Sequence, residues 1–225
     1  MTFHVRRSAR ARYARLRASP RAGLEVVLPA GADPAEVTRL IEANQAWILT
    51  QLDRIQSPPA VEANRLTDGA TLPFLGRPVT LAVRVRPGDF VQTALRGNTI
   101  AVEVPERDDR LIRAALEAWY RRQARRVIAE QVADINQSFG FTYQRITIKD
   151  QRSRWGSCSD RANLNFNWRL VLAPLSIIRY VVTHELAHLG ELNHSPKFWA
   201  LVASRCPEYQ TAQAWLRQHG ADLTF

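Results

Sequence analysis

The sequence of 225 residues has few cysteines, and this excludes two classes of protein. Its two cysteines, Cys158 and Cys206, are too few for the disulfide framework of a small secreted domain. Their spacing also fits no zinc site built from cysteines. We therefore expect both thiols to be reduced, as they are in the cytoplasm.

Long apolar runs are also missing. The longest, residues 170–182, is interrupted by Pro174 and Arg179, whereas a membrane-spanning helix needs about 20 consecutive apolar residues. Residues 1–23 contain seven arginines and no acidic residue, but they lack the apolar core and the small-residue cleavage site of a secretory signal. These absences predict a cytoplasmic protein that does not enter a membrane.

Acidic residues are outnumbered by basic ones, which gives the chain a formal net charge of +10. All of the basic residues except Lys149 and Lys197 are arginines. The excess is spread along the chain, with +4 in residues 1–106 and +6 in residues 107–225, so a solvated basic surface is the favoured interpretation. Weak nucleic-acid binding stays open, with the arginine-rich tract at residues 6–21 as its candidate segment.

The first half of the sequence, residues 1–106, is predicted to be a β-rich portion with one helix. Residues 23–28 have the pattern of a strand, and we expect them to pair with the arginine-rich segment 12–17. A helix is expected to begin after Asp33 and to end before Ser57. Three alternating segments predict antiparallel hairpins: residues 79–85, 91–95 and 100–104.

The second half, residues 107–225, is the predicted catalytic portion. Apolar residues at helical spacing predict one long helix over residues 109–139, ended by Gly140. Two strands are expected next, at residues 143–149 and 164–172. Pro174 then opens a helix that should end near Gly190. Together these elements predict an α+β fold in which an antiparallel sheet accompanies an active-site helix.

That last helix carries the clearest chemical signal in the chain. His184 and His188 are four residues apart, which places both imidazoles on one helix face. Because the chain has only five histidines, the pattern His-Glu-x-x-His is expected by chance roughly 0.005 times in such a sequence. Glu185 lies beside the first histidine, where it could take a proton from water and pass it to a leaving amine. The pattern predicts a hydrolytic zinc site with Glu185 as its catalytic residue.

A catalytic zinc site has three protein ligands and keeps the fourth tetrahedral position for water. His194 is the favoured third ligand because it directly precedes a helix start at Ser195. Two alternatives stay open, Glu208 and Glu191. Metzincin peptidases share the spacing of the three histidines but need a later methionine, and Met1 is the only methionine here.

Substrate contacts are less well defined by the sequence. Arg152 and Arg154 are candidates to hold a carboxylate or phosphate of the substrate. An edge strand at residues 164–172 is expected to bind an extended peptide by strand addition. Two rival functions stay open: a zinc hydrolase that acts on a phosphoanhydride such as a nucleoside triphosphate, and a nucleic-acid-binding module with a structural metal.

Several motifs occur in an order that resembles the YgjP-like zinc metallopeptidase family. They are Arg154-Trp155-Gly156-Ser157-Cys158-Ser159, Asn167-Trp168-Arg169-Leu170, Tyr180-Val181-Val182-Thr183-His184-Glu185-Leu186-Ala187-His188, Asn193-His194-Ser195 and Phe198-Trp199. That family belongs to the zincin superfamily, and the SprT-like and WLM proteases are similar to it. The resemblance implies a zincin-like fold over about residues 10–220, treated as one family unit, with a peptide or protein as substrate. It also implies zinc bound by His184, His188 and His194, with Glu185 catalytic.

Overall fold

The computed structural model describes residues 3–9, 11, 13–19, 23–45, 48, 66–151 and 153–225. Contacts divide the chain into two compact units, Met1–Asn64 and Arg65–Phe225. The expected boundary between residues 106 and 107 falls inside the second unit, where a strand ending at Val104 packs on the long helix that follows it.

The first unit contains a three-stranded sheet. Its strands are β1 (Phe3–Ser8), β2 (Arg15–Ser19) and β3 (Gly23–Pro29), in the order β1-β3-β2. Strand β3 is central in this order, and its apolar side chains, such as Leu24 and Val26, are buried. It pairs antiparallel with β2, so the predicted pairing with the arginine-rich segment is confirmed, and it pairs parallel with β1.

Helix α1 (Ala35–Ala43) follows this sheet. The side chain of Asp33 accepts a hydrogen bond from the Ala35 N–H at 2.9 Å, which supports the predicted helix start. The predicted continuation of the helix toward Ser57 falls largely on residues 46–47 and 49–65, which lie outside the described residues.

The second unit begins with a four-stranded sheet of order β4-β5-β7-β6. Its strands are β4 (Thr71–Phe74), β5 (Arg77–Val85), β6 (Gln92–Arg96) and β7 (Thr99–Val104). The predicted hairpin between β6 and β7 is confirmed, but β5 and β7 are parallel, so the expectation of hairpins throughout is wrong. The reason is that β6 lies on the outer side of β7, so the chain enters β7 in the direction of β5.

Helix α2 (Asp109–Phe139) has the predicted bounds. The Asp108 side chain accepts a hydrogen bond from the Arg110 N–H at 2.7 Å at its start. Gly140 ends it in the left-handed region, with φ of 67°. The buried face of α2 forms the centre of the second unit's core, with Ile112, Leu116, Trp119, Tyr120, Ala124, Ile128, Val132 and Ile135.

A second sheet of three strands has the order β8-β10-β9. The strands are β8 (Arg145–Lys149), β9 (Gly156–Cys158) and β10 (Asn163–Asn167), and residues Trp168–Leu172 form a 3₁₀ helix. The predicted edge strand at 164–172 is therefore wrong on two counts, because it ends at Asn167 and because β10 is central. Strand β9 pairs with the second edge of β10. The sequence did not predict β9, because three residues are too few to show an alternating pattern.

Three helices complete the fold: α3 (Leu175–Ala187), α4 (Pro196–Ala203) and α5 (Tyr209–His219). Helix α3 starts after Pro174 as predicted and ends three residues before Gly190. The architecture is mixed α+β, as the sequence predicts. The sheet that contains β9 is mixed, however, and not antiparallel as predicted, because β10 is parallel to β8 and antiparallel to β9. None of the helices in the described ranges is both long enough and apolar enough to cross a membrane.

The hairpin between β4 and β5 packs against the segment that leads into α3. The Leu75 N–H donates to the Val171 carbonyl at 2.8 Å, and Gly76 has φ of 73°. A Cβ at Gly76 would lie 2.7 Å from the Pro174 Cα. Only glycine therefore allows both the left-handed turn and the close approach.

We expect Gly76→Ala to lower the free energy of unfolding by about 2–4 kcal/mol, because it adds backbone strain and a clash with the main chain. Urea denaturation measures the change. Gly97→Ala is the matched control, since Gly97 also has a positive φ of 59° but nothing within 4 Å of an added Cβ, and it should cost only about 1–2 kcal/mol. Equal losses in the two variants would contradict the importance of the Pro174 contact.

Candidate active site

The structure brings together the three histidines that the sequence singled out. His184 and His188 come from α3, and His194 lies directly before the start of α4. The candidate ligand atoms of the three side chains all lie within 4.8 Å of one another. The alternatives Glu191 and Glu208 are not part of this cluster among the residues that the structure describes.

The spacing of the nitrogens fits one tetrahedral metal ion. The Nε2 atoms of His184 and His194 are 3.1 Å apart. Ligands about 2.0–2.1 Å from a zinc ion in tetrahedral geometry lie about 3.3 Å from each other. The cluster can therefore hold a metal, and its all-imidazole donor set is one that zinc accepts.

Main-chain and apolar contacts orient the three imidazoles. The Nδ1 of His188 lies 3.1 Å from the carbonyl oxygen of Glu191, which directs its Nε2 toward the other histidines. The ring of Phe198 packs against all three imidazoles, with centroid distances of 4.6–4.9 Å. The Ser195 hydroxyl accepts a hydrogen bond from the Phe198 N–H at 3.3 Å, and this cap fixes the start of α4 beside the site.

The protonation of the histidines suits metal binding. Burial, together with the neighbouring His188 and His194, lowers the pKa of His184 to about 3. Burial also lowers the pKa of His188. Because only neutral imidazole offers a lone pair to a metal, both side chains are in the binding form at neutral pH.

Glu185 lies on α3 between the two helical histidines and is buried, with 5% of its surface exposed. Its carboxylate lies directly against β9, since a Cβ at Gly156 would be 2.6 Å from its Oε1. Burial raises the pKa of Glu185 to about 8, although a hydrogen bond from the Cys158 backbone N–H and the charge of Arg154 act in the opposite direction. Without a metal ion this burial favours the protonated carboxyl at neutral pH, and the positive charge of a bound metal ion would lower the pKa and favour the carboxylate that accepts a proton.

Strand β9 is at the edge of its sheet, beside this carboxylate. Alternate residues of this segment are hydrogen-bonded to the β10 side. The Asn167 N–H donates to the Trp155 carbonyl, and the Ser159 N–H donates to the Asn163 carbonyl. The backbone groups of Gly156 and Cys158 therefore point to the other edge. Of these groups, the Cys158 N–H is used by Glu185.

Gly156 and Cys158 lie against Glu185, and the sequence did not indicate this arrangement. Both act through the main chain, so their side-chain type gives no signal in the sequence. Of the two predicted substrate-binding arginines, Arg152 lies outside the described residues. Arg154 is exposed and lies close enough to Glu185 to influence its pKa.

We expect Gly156→Ala to lower kcat/KM by about 10- to 100-fold with any substrate that the site cleaves. The added Cβ would displace the Glu185 carboxylate, and a displacement of about 1 Å can cost 100-fold. Metal content and the free energy of unfolding, measured on the same samples, should change little. Full activity in this variant would show that the position of the carboxylate against β9 is unimportant.

A zincin-like fold with a cluster of three histidines able to hold a metal ion, next to a buried glutamate, defines a metallopeptidase. The chain matches the family described as YgjP-like, metallopeptidase domain, over residues 12–219, and it belongs to that family. No curated protein matches it.

Two solved structures are similar to part of the chain. The metallopeptidase zymogen jannalysin of Methanocaldococcus jannaschii is 24% identical, with a TM-score of 0.34, over 39% of this chain and 93% of that chain. The metallopeptidase zymogen abylysin of Pyrococcus abyssi is 17% identical, with a TM-score of 0.35, over 40% of this chain and 93% of that chain.

Proposed function

We propose that this metallopeptidase uses zinc, bound by His184, His188 and His194, with Glu185 as its general base. The observation that carries the proposal is the convergence of the three imidazoles, with Glu185 next to His184 on the same helix and its carboxylate against the edge strand β9. Family membership supports the need for a metal ion. The imidazole donors favour zinc over the oxygen-preferring cations Mg²⁺ and Ca²⁺.

When bound, zinc supplies Lewis-acid activation of the attacking water and of the substrate carbonyl. The Glu185 carboxylate accepts a proton from that water and donates it to the amine that leaves. Its burial excludes bulk water, and the Cys158 N–H holds the carboxylate in one orientation. His188 is oriented by its hydrogen bond to the Glu191 carbonyl.

The substrate would bind as an extended peptide along β9 instead of the predicted segment 164–172. The outward backbone groups of Gly156 and the Cys158 carbonyl can pair with a peptide main chain, which gives affinity with modest sequence preference. A peptide held there would pass directly over Glu185, because that carboxylate contacts Gly156. We further propose a cytoplasmic location, since Cys158 and Cys206 are both free.

The test is to offer the zinc-loaded protein an unfolded protein, a peptide mixture and nucleoside triphosphates in parallel. We expect peptide-bond cleavage that is abolished by a chelator and restored by zinc. Mass spectrometry of the products identifies the cleaved bonds. Hydrolysis of triphosphates without cleavage of any peptide would replace the proposal with the phosphoanhydride hydrolase alternative.

Nucleic-acid binding is expected to be weak and nonspecific. Arg121, Arg122 and Arg125 of α2 line a cavity of about 320 Å³ beside Ile148, and Arg122 and Arg125 are exposed. We predict a Kd for duplex DNA no tighter than about 10⁻⁶ M at physiological salt, with affinity falling steeply as salt rises.

Fluorescence anisotropy of a labelled DNA duplex at several salt concentrations measures this binding. The double variant Arg122→Gln/Arg125→Gln should reduce the slope of log K against log salt by about two, because two phosphate contacts are lost. Arg96→Gln, which changes an exposed arginine of strand β6 instead of helix α2, is the control. A tight complex with little salt dependence would contradict the prediction.

A further inference from the structure

The second unit contains a cavity of about 680 Å³ whose lining includes Trp155, the residue directly before Gly156. This volume lies within the range of small-ligand sites, about 300–1,000 Å³. One wall consists of residues from the segment before β9 and from β10, including Arg154 and Trp155. The opposite wall comes from the end of α5 and the residues after it, including Leu216 and Leu223.

The cavity wall and the residue that contacts the Glu185 carboxylate are two positions apart in the chain. Arg154 lines the cavity, and Gly156 contacts Glu185. Two residues span at most about 7 Å of extended chain. The influence of Arg154 on the pKa of Glu185 agrees with this short separation, although burial is the larger effect on that pKa.

The charges in the cavity wall do not cancel. Asp150 is paired with Arg169 and with Arg121, and these pairs hold the pKa of Asp150 below its usual value. Arg169 is further occupied because its guanidinium lies over the Trp168 ring, 4.5 Å from the centroid. Arg154 has no hydrogen-bond or ion-pair partner for its guanidinium among the described residues. Among the described residues that line the cavity, the Arg154 guanidinium is therefore the positive charge without an ion-pair partner.

We propose that this cavity binds the side-chain carboxylate of an aspartate or glutamate in the peptide substrate, and that Arg154 is the residue that determines this specificity. The inference rests on the peptidase function proposed above. The guanidinium pairs with the carboxylate, and Leu216 and Leu223 contact the methylene groups of the side chain. The acidic residue lies next to the scissile bond or one residue from it, because Arg154 is two residues from the Glu185 contact.

The charge balance favours a carboxylate over a polyphosphate. A carboxylate carries one negative charge and matches the single unpaired guanidinium of Arg154. A triphosphate carries about four negative charges and needs several free donors, which is why phosphate sites use rows of backbone N–H groups with added lysine or arginine. In this wall Arg169 is already paired, and Asp150 would repel a polyanion.

The experiment uses two peptide libraries that differ only in glutamate or glutamine at each position around the cleaved bond. With the zinc-loaded protein we expect kcat/KM to be about 10- to 100-fold higher for the glutamate peptide at one position, the value of one charge-assisted hydrogen bond. Arg154→Gln should bring that ratio close to one. Arg154→Glu should reverse the preference toward lysine, which a purely structural role of Arg154 would not produce.

Arg96→Gln removes the same charge from a residue that does not line the cavity, and it should keep the preference for glutamate. Binding is measured separately, as the Kd of each fluorescein-labelled peptide for the Glu185→Gln variant, so that the result does not depend on catalysis.

If peptides are cleaved with no preference for an acidic residue, the proposed specificity is wrong while the peptidase function stands. If no peptide is cleaved but glutamate peptides bind through Arg154, the cavity proposal stands and the proposed function fails. Competition by ATP that depends on Arg154 and exceeds that of the glutamate peptide would overturn the assignment of the cavity to a carboxylate.

Discussion

Replacing Glu185 with glutamine is expected to lower hydrolysis by about 10²- to 10⁴-fold, the contribution of a positioned acid–base group. Glutamine keeps the size of the side chain and can still accept the hydrogen bond from the Cys158 N–H, but it cannot take up a proton from water. The variant should therefore fold as the wild type does and retain its metal. Steady-state kinetics on a cleaved peptide, with metal analysis of the same sample, measures both.

Glu208→Gln is a suitable control for that experiment. It makes the same chemical change at a residue that precedes α5 and is not part of the histidine cluster, so its activity should stay near that of the wild type. Peptide cleavage by Glu185→Gln at the wild-type rate would remove Glu185 from the mechanism. If Glu185→Gln is inactive, a comparison of the cellular proteins cleaved in the presence of the wild type and of this variant identifies natural substrates.

Replacing His194 with alanine is expected to abolish both metal retention and activity. The wild type should hold about one zinc per chain, and loss of one of three protein ligands should weaken binding by more than the 10- to 100-fold typical of an outer-shell partner. Elemental analysis after dialysis against a weak chelator measures occupancy. His184→Ala and His188→Ala should behave in the same way.

The matched controls are Glu191→Ala and Glu208→Ala, the two alternatives for the third ligand. Glu191 contacts His188 through its carbonyl oxygen, which alanine retains, so that variant should keep its zinc. Full occupancy in His194→Ala together with loss of zinc in Glu208→Ala would show that Glu208 is the ligand.

Local sequence patterns correctly predicted the parts of the fold that depend on residues close together in the sequence. Helix α2 has its predicted bounds because an apolar face and Gly140 define it locally. His184 and His188 share a face through helical geometry alone. His194 joins them because the chain turns back after α3, and the helix start at Ser195 marks where that turn ends.

Contacts between distant segments could not be predicted in the same way. The parallel pairing of β5 with β7 depends on where β6 lies, and no local pattern encodes that position. Strand β9 has three residues and pairs with a strand that the sequence identified as an edge. Glu185 is buried against Gly156 as a result of that pairing, so the sequence identified the proposed catalytic residue but not the strand that covers it.

The groups that orient His188 and Glu185 come from the main chain, and this affects how the sequence can diverge. The Glu191 carbonyl and the Cys158 N–H are present whatever side chain those positions carry. Most substitutions at positions 158 and 191 would therefore keep these two hydrogen bonds. The exception is proline at position 158, which would remove the N–H. Related proteins that differ at both positions can keep the same active-site geometry, and a search for them should weigh the backbone arrangement above residue identity.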